Sequence, residues 1–209
     1  MRLKNVRLIR ILLTTEVNPN SPIGYQNIVP LQYIAEFGDV ELVRILLVAG
    51  ADVNAPPSNH GGYNYTALQG VAKSGNTELV RILLVAGADV NAPPSNHGDY
   101  NYTALQGAAK SGNTELVQIL LDAGADINAP PGERGYTALQ AAVIDGNIEL
   151  VEILLNAGAE VHAPPGLYGR MALQAAAEHE NIKLVQILLD AGADVNAPPT
   201  GLGDRYTAL

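Results

Sequence analysis

The stretch GADVNAPPSNHGGYNYTALQG at residues 50–70 returns at 87–107 as GADVNAPPSNHGDYNYTALQG, with Gly62 replaced by Asp99. Carried further, residues 50–86 and 87–123 differ only at Gly62/Asp99, Val71/Ala108, Arg81/Gln118 and Val85/Asp122. An enzyme seldom needs one loop twice, whereas a stack of equal units needs little else. The leucine that marks each unit falls at Leu31, Leu68, Leu105, Leu139, Leu173 and Leu209, at intervals of 37, 37, 34, 34 and 36. Self-similarity at such a period predicts a solenoid.

Each unit carries two helical signals. The first opens with TALQ at Thr66, Thr103 and Thr137. A threonine followed three residues later by glutamine is a capping box, in which hydroxyl and amide satisfy free backbone donors at the helix start. Leu68, Val71 and Ala72 share one face at helical spacing. Alanine and glycine fill the rest of this short helix, so a neighbouring helix can come close. Gly75, Gly112 and Gly146 end it, each followed by an asparagine suited to capping the next helix. The second helix, TELVRILLVAG from Thr77, puts Glu78 where the helix dipole favours an acid. It carries an apolar stripe through Leu79, Ile82 and Leu83. Gly87 ends it, and Pro93 and Pro94 hold the chain extended beyond. One such unit has too little apolar surface to offset the entropy of ordering it, so the array is the folding entity.

Helix, tight turn, helix, then AGADVNA and a projecting loop resembles the ankyrin repeat. Residues 66–69, Gly75 and 86–92 stand where that family has T-P-L-H, its turn glycine and its G-A-D-V-N-A ending. Ala67 replaces the usual proline, Gln69 the usual histidine, and a Pro-Pro pair the acidic loop opening. Extra residues between the ending asparagine and the next threonine lengthen the finger loops and account for the drift in period. The resemblance implies an all-α ankyrin-repeat solenoid of stacked helix-turn-helix units with long projecting fingers. Its expected units are a half-repeat at 1–28, repeats at 29–65, 66–102, 103–136, 137–170 and 171–206, and a truncated start at 207–209. The fingers are expected at 54–65, 91–102, 128–136, 162–170 and 196–206. Long fingers and near-identical units also resemble the ankyrin tails of large fungal NACHT-type receptor proteins.

Composition narrows the function. The chain has no cysteine, which excludes disulfides and thiolate chemistry and suits a reducing, intracellular and cytoplasmic setting. Its net charge is −9, but Arg2, Lys4, Arg7 and Arg10 hold four of its twelve basic residues. From residue 11 onward 8 basic residues face 21 acidic ones, a balance of −13 that would repel a phosphate backbone. No apolar run is long enough to span a membrane. The basic opening LIRILL at 8–13 repeats LVRILL at 42–47 and 79–84, so it reads as a worn internal helix and not a signal peptide.

Catalytic chemistry finds no support. His60 and His97 recur one repeat apart, too far to share a metal ion. His162 replaces an ending asparagine, and His179 sits in a polar turn between Glu178 and Glu180. Ser74 and Ser111 have no histidine nearby, and the glycine-rich loops lack a Lys-Ser or Lys-Thr ending. The NYT triplets at Asn64 and Asn101 read as by-products of duplication. No catalytic residue, metal or cofactor is expected.

The variable rows are more informative. Eight of nine tyrosines fall in finger segments, at 25, 63, 65, 100, 102, 136, 168 and 206. Tyr65, Tyr102, Tyr136 and Tyr206 directly precede the capping threonine, and Arg170 takes that place in the fourth unit. Stacking would align them as a ladder on one surface, or pack them against the prolines of neighbouring loops. A second row ends the first helices: Glu36-Phe37, Lys73-Ser74, Lys110-Ser111, Ile144-Asp145 and Glu178-His179. The resemblance implies that this row and the finger tips bind a protein partner on the concave side. The expected contact residues are Tyr63, Tyr65, Lys73, Tyr100, Tyr102, Lys110, Tyr136, Asp145, Arg170, Glu178 and His179. Val48 and Val85 on the second helices predict a modest apolar patch on the outer face. The competing expectation is a structural array that stacks end to end. YTAL at 206–209 opens another capping box, so the chain reads as a piece of a longer protein. The uncapped stripe at 182–190 would then fray or bury against another copy.

Overall fold

The computed structural model describes residues 18–23, 28–57, 64–94, 102–133, 135–164, 166 and 170–197. The half-unit helix near 8–13, the finger residues Tyr25, His60, Tyr63, His97, Tyr100, Asn101 and Tyr168, and the YTAL segment lie outside the described residues.

Ten helices form five consecutive pairs among the described residues: α1 (Pro30–Glu36) and α2 (Val40–Val48), α3 (Ala67–Ser74) and α4 (Thr77–Val85), α5 (Ala104–Lys110) and α6 (Thr114–Asp122), α7 (Ala138–Asp145) and α8 (Ile148–Asn156), α9 (Ala172–Glu178) and α10 (Ile182–Asp190). Among the described residues extended pairing is confined to a single antiparallel bridge, Ile23 with Ile28. The all-α solenoid expected from the period is the architecture observed.

Local chemistry sets each boundary. The capping box forms as expected: the Thr66 hydroxyl accepts the Gln69 N–H at 3.3 Å, and Gln69 Oε1 accepts the Thr66 N–H at 2.9 Å. The same box closes at Thr103/Gln106 and Thr137/Gln140. Val29 with Pro30 at the first helical position replaces it at α1. At α9 Met171 has no hydroxyl, although Gln174 Oε1 still accepts the Met171 N–H at 3.2 Å. Asp39, Asn76, Asn113, Asn147 and Asn181 cap the second helices by accepting the N–H of the leucine three residues on. Between paired helices the backbone turns left-handed, at φ 73° for Gly75, 69° for Gly112 and 75° for Gly146. In the fifth pair Glu180 takes this conformation at φ 53°, which strains an L side chain.

Each first helix packs on its own second helix and on the first helices of the adjacent pairs. Contact is closer along the first helices, where alanine and glycine keep side chains short, than along the second. A stack spaced more tightly on one side bends toward that side, so the first helices line the concave face. Leu68, Leu105 and Leu139 of the first helices, with Leu79, Leu116 and Leu150 of the second, form one continuous buried core.

Two polar ladders tie the units together. Four buried first-helix glutamines donate their amides to finger backbone, three of them to two carbonyls each. Gln69 Nε2 donates to the carbonyls of Ala92 and Pro93 at 3.0 and 2.9 Å, pinning the root of the following finger. Gln32 does the same to Ala55 and Pro56, Gln106 to Ala129 and Pro130, and Gln140 to Ala163. A proline pair offers acceptors without donors, so a buried amide satisfies it well. The ending asparagines form the second ladder. Asn54 donates to the Gly87 carbonyl at 2.9 Å and accepts the Asp89 N–H at 2.7 Å, linking one turn to the next. Asn20, Asn91 and Asn128 repeat both bonds.

Candidate functional site

The row ending the first helices faces solvent on the concave side. Lys73 is half-buried, while Lys110, Asp145, Glu178 and His179 are exposed. The residues one turn back, Val71, Ala108, Ala142 and Ala176, are fully buried. Charge therefore varies over a constant apolar floor, basic along α3 and α5 and acidic at the end of α7 and α9. Asp145 leans across the stack, with Oδ2 3.0 Å from the place a β-carbon on Gly112 would occupy.

The tyrosines do not form the surface ladder expected. Tyr65 is only 1% exposed and Tyr102 only 6%, so both rings belong to the interior. Each lies down on its own first helix, over the glycine five residues on. A β-carbon at Gly70 would stand 2.6 Å from Tyr65 Cε2, and one at Gly107 3.2 Å from Tyr102 Cδ2. The rings thus rest on the missing side chains of their own helices, a support other than the neighbouring prolines. Tyr102 also lies between two cations, with Lys73 Nζ 5.6 Å and Lys110 Nζ 6.0 Å from its ring centre. Tyr63 and Tyr100 lie outside the described residues.

The next unit differs. Position 141 is alanine, and Tyr136 is half-buried at the edge of the core. Beyond it Arg170, in the tyrosine position of the fifth pair, forms an ion pair through Nη1 with Glu178 Oε2. The finger carrying Arg170 is docked by Gly166, whose N–H donates to the Gly135 carbonyl at 3.3 Å. A β-carbon at Gly166 would fall within 2.9 Å of the carbonyl oxygens of Gly132, Glu133 and Gly135, so only glycine permits this approach. Beside Arg170 lies a concave-side cavity of about 250 Å³ lined by Tyr136, Ile144, Arg170, Ala175, Glu178 and His179. Four of the expected contact residues meet here. Ile144 belongs to the expected row without being among the expected contact residues, and Ala175 lies outside that row. The legible signal for Ala175 is the change from glycine at 70 and 107 to alanine at 141 and 175.

The outer face carries the expected apolar residues, with Val48 and Val85 both 91% exposed. Solvent-exposed ion pairs run beside them from unit to unit, Arg44–Glu78 at 3.8 Å and Arg81–Glu115 at 3.2 Å. Such pairs stabilise little. Among the described residues no three His, Asp or Glu side chains converge as metal ligands. Among the same residues no helix is long and apolar enough to cross a membrane.

A family model described as ankyrin repeats (3 copies) matches residues 31–131 and 129–198. No curated protein matches the chain.

Proposed function

The chain belongs to the ankyrin-repeat family, whose members are generally protein–protein interaction modules, and from that premise we propose that this array recognises a protein partner across its concave face without catalysing a reaction. The observation that carries the reading is the row of half-buried Lys73 and exposed Lys110, Asp145, Glu178 and His179 over a buried apolar floor. A partner matched to it presents acidic groups toward α3 and α5 and basic groups toward α7 and α9. Tyr65 and Tyr102 support this face from below instead of touching the partner, and Tyr136 and Arg170 border it. The site is intracellular in this reading, as the cysteine-free composition favours.

The test is calorimetry on a partner recovered with the native array. The double variant Lys73→Glu/Lys110→Glu and the variant Asp145→Lys should each weaken binding about tenfold or more, in line with interface hot spots. Arg44→Ala/Arg81→Ala on the outer face should leave affinity unchanged. Equal loss from the outer-face variant alone would move the site to the Val48/Val85 side.

Self-assembly end to end has one observation in its favour. Ile182 is 84% exposed on α10, whereas the equivalent Ile148 on α8 packs against the core. A second copy seated on α10 would cover it. Sedimentation of the native chain and of Ile182→Lys checks this, and a concentration-independent monomer mass for both removes it.

A further inference from the structure

We propose that the cavity between Tyr136 and α9 is the anchor site for a basic side chain of the partner, arginine above all, and that Ala141 is the residue that opens it. The inference rests on the recognition reading above and names the chemistry of one contact.

Consider how the same place is filled one unit earlier. There the tyrosine ring sinks over Gly107, and Lys110 of the same helix holds its ammonium 6.0 Å from the ring centre. The fold thus already pairs a cation with a tyrosine at this position, an arrangement that attracts through the ring quadrupole. In the next unit the residue equivalent to Lys110 is Ile144, which brings no charge. Ala141 stands where Gly107 stood, and Tyr136 remains at the surface as a wall of the cavity. The ring is kept, and of the two lysine positions flanking it the one on its own helix now carries an apolar side chain.

Of the remaining walls, Ile144, Ala175 and Glu178 suit a long cationic side chain, with Arg170 and His179 lining the cavity beside them. Ile144 and Ala175 offer apolar surface to a methylene stem. Glu178 offers a carboxylate, and its ion pair with Arg170 demonstrates that a guanidinium reaches it here. A carboxylate has about four lone-pair sites, so it can accept a second donor group beside the first. An acidic guest would meet the Glu178 carboxylate, and the Arg170 guanidinium beside it is already paired with that carboxylate. At about 250 Å³ the space suits one side chain, being smaller than the roughly 300–1,000 Å³ of small-molecule sites.

The experiment titrates acetyl-Gly-Arg-Gly-amide into the full 209-residue chain, with residue-assigned NMR on the Tyr136 ring, the Ile144 and Ala175 methyls and, as an internal control, the Tyr102 ring. The arginine peptide should give saturable shifts at Tyr136, Ile144 and Ala175 and none at Tyr102. The peptide with citrulline, the same shape without the charge, should bind at least about fivefold more weakly, the scale of one cation–π contact joined to an ion pair. Glu178→Gln and Tyr136→Leu should each lower the arginine affinity by a similar factor. Ala141→Gly should weaken it too, because the ring can then lie down. Absence of saturable shifts at these residues in the folded native chain overturns the proposal, as does equal binding of the citrulline peptide or of acetyl-Gly-Glu-Gly-amide titrated in the same way. That failure leaves partner recognition standing if Lys73→Glu/Lys110→Glu still weakens a recovered partner; loss of both results removes both.

Discussion

The second and third helix pairs, residues 66–123, and the fourth and fifth, residues 137–190, are built on one plan and spend it differently. In the first region every device is in place. The capping box closes at Thr66 and Thr103, glycine turns each pair, and the tyrosine ring is buried over a glycine. In the second region the devices lapse one at a time. Ala141 and Ala175 replace the glycines, Arg170 a tyrosine, Met171 a capping threonine, and Glu180 a turn glycine. His162 replaces a ladder asparagine and, with Met171, lines a small cavity of about 10 Å³ under the fourth finger. The lapses surround a place where the concave surface opens into a cavity of side-chain size. Departures from local consistency concentrate where a protein uses its surface.

The contrast is broken most severely by removing the rings. Tyr65→Ala empties a fully buried aromatic position and should cost about 3–5 kcal/mol in urea unfolding, the range for large aromatic truncations. Tyr136→Ala removes a half-buried ring beside open space and should cost less than half as much. Equal losses would mean that both tyrosines are core residues.

A smaller effect is expected from the glycine beneath the ring. Gly70→Ala adds a β-carbon 2.6 Å from Tyr65 Cε2, so the ring must shift. Overpacking of this kind costs about 1–3 kcal/mol, partly offset because alanine is the better helix former by about 1 kcal/mol. A net gain in stability would show that the ring has another resting place. The smallest effect is a repair. Glu180→Gly relieves a left-handed residue at φ 53° and should stabilise the fifth pair by about 1 kcal/mol, read as slower amide exchange in α10. Unchanged exchange would place the weakness of that pair elsewhere.

How much of this was legible follows from how far each signal reaches along the chain. Helix starts, turns and the period are short-range and repeated, so Thr66/Gln69, Gly75 and Asn76 announce themselves. The glutamine ladder spans 23 or 24 residues and the asparagine ladder 30 to 35, and nothing local in Gln69 says which carbonyl its amide will reach. Tyrosine burial stays open in the sequence because a loop tyrosine before a capping threonine can either project or lie down. Its fate depends on the residue five positions later, on the next turn of helix. The cavity required both that residue and the docking of Gly166 against the preceding finger, contacts that only stacking creates.

The central claim is that glycine or alanine beneath the ring decides whether a tyrosine of this row is core or surface. It is tested most directly by the solvent accessibility of each ring in the native chain, measured as NMR relaxation enhancement of assigned tyrosine carbons by a soluble paramagnetic agent. The account predicts strong enhancement at Tyr136, almost none at Tyr65 and Tyr102, and protection of Tyr136 in the Ala141→Gly variant. Three rings enhanced alike, or a Tyr136 signal indifferent to residue 141, would contradict it.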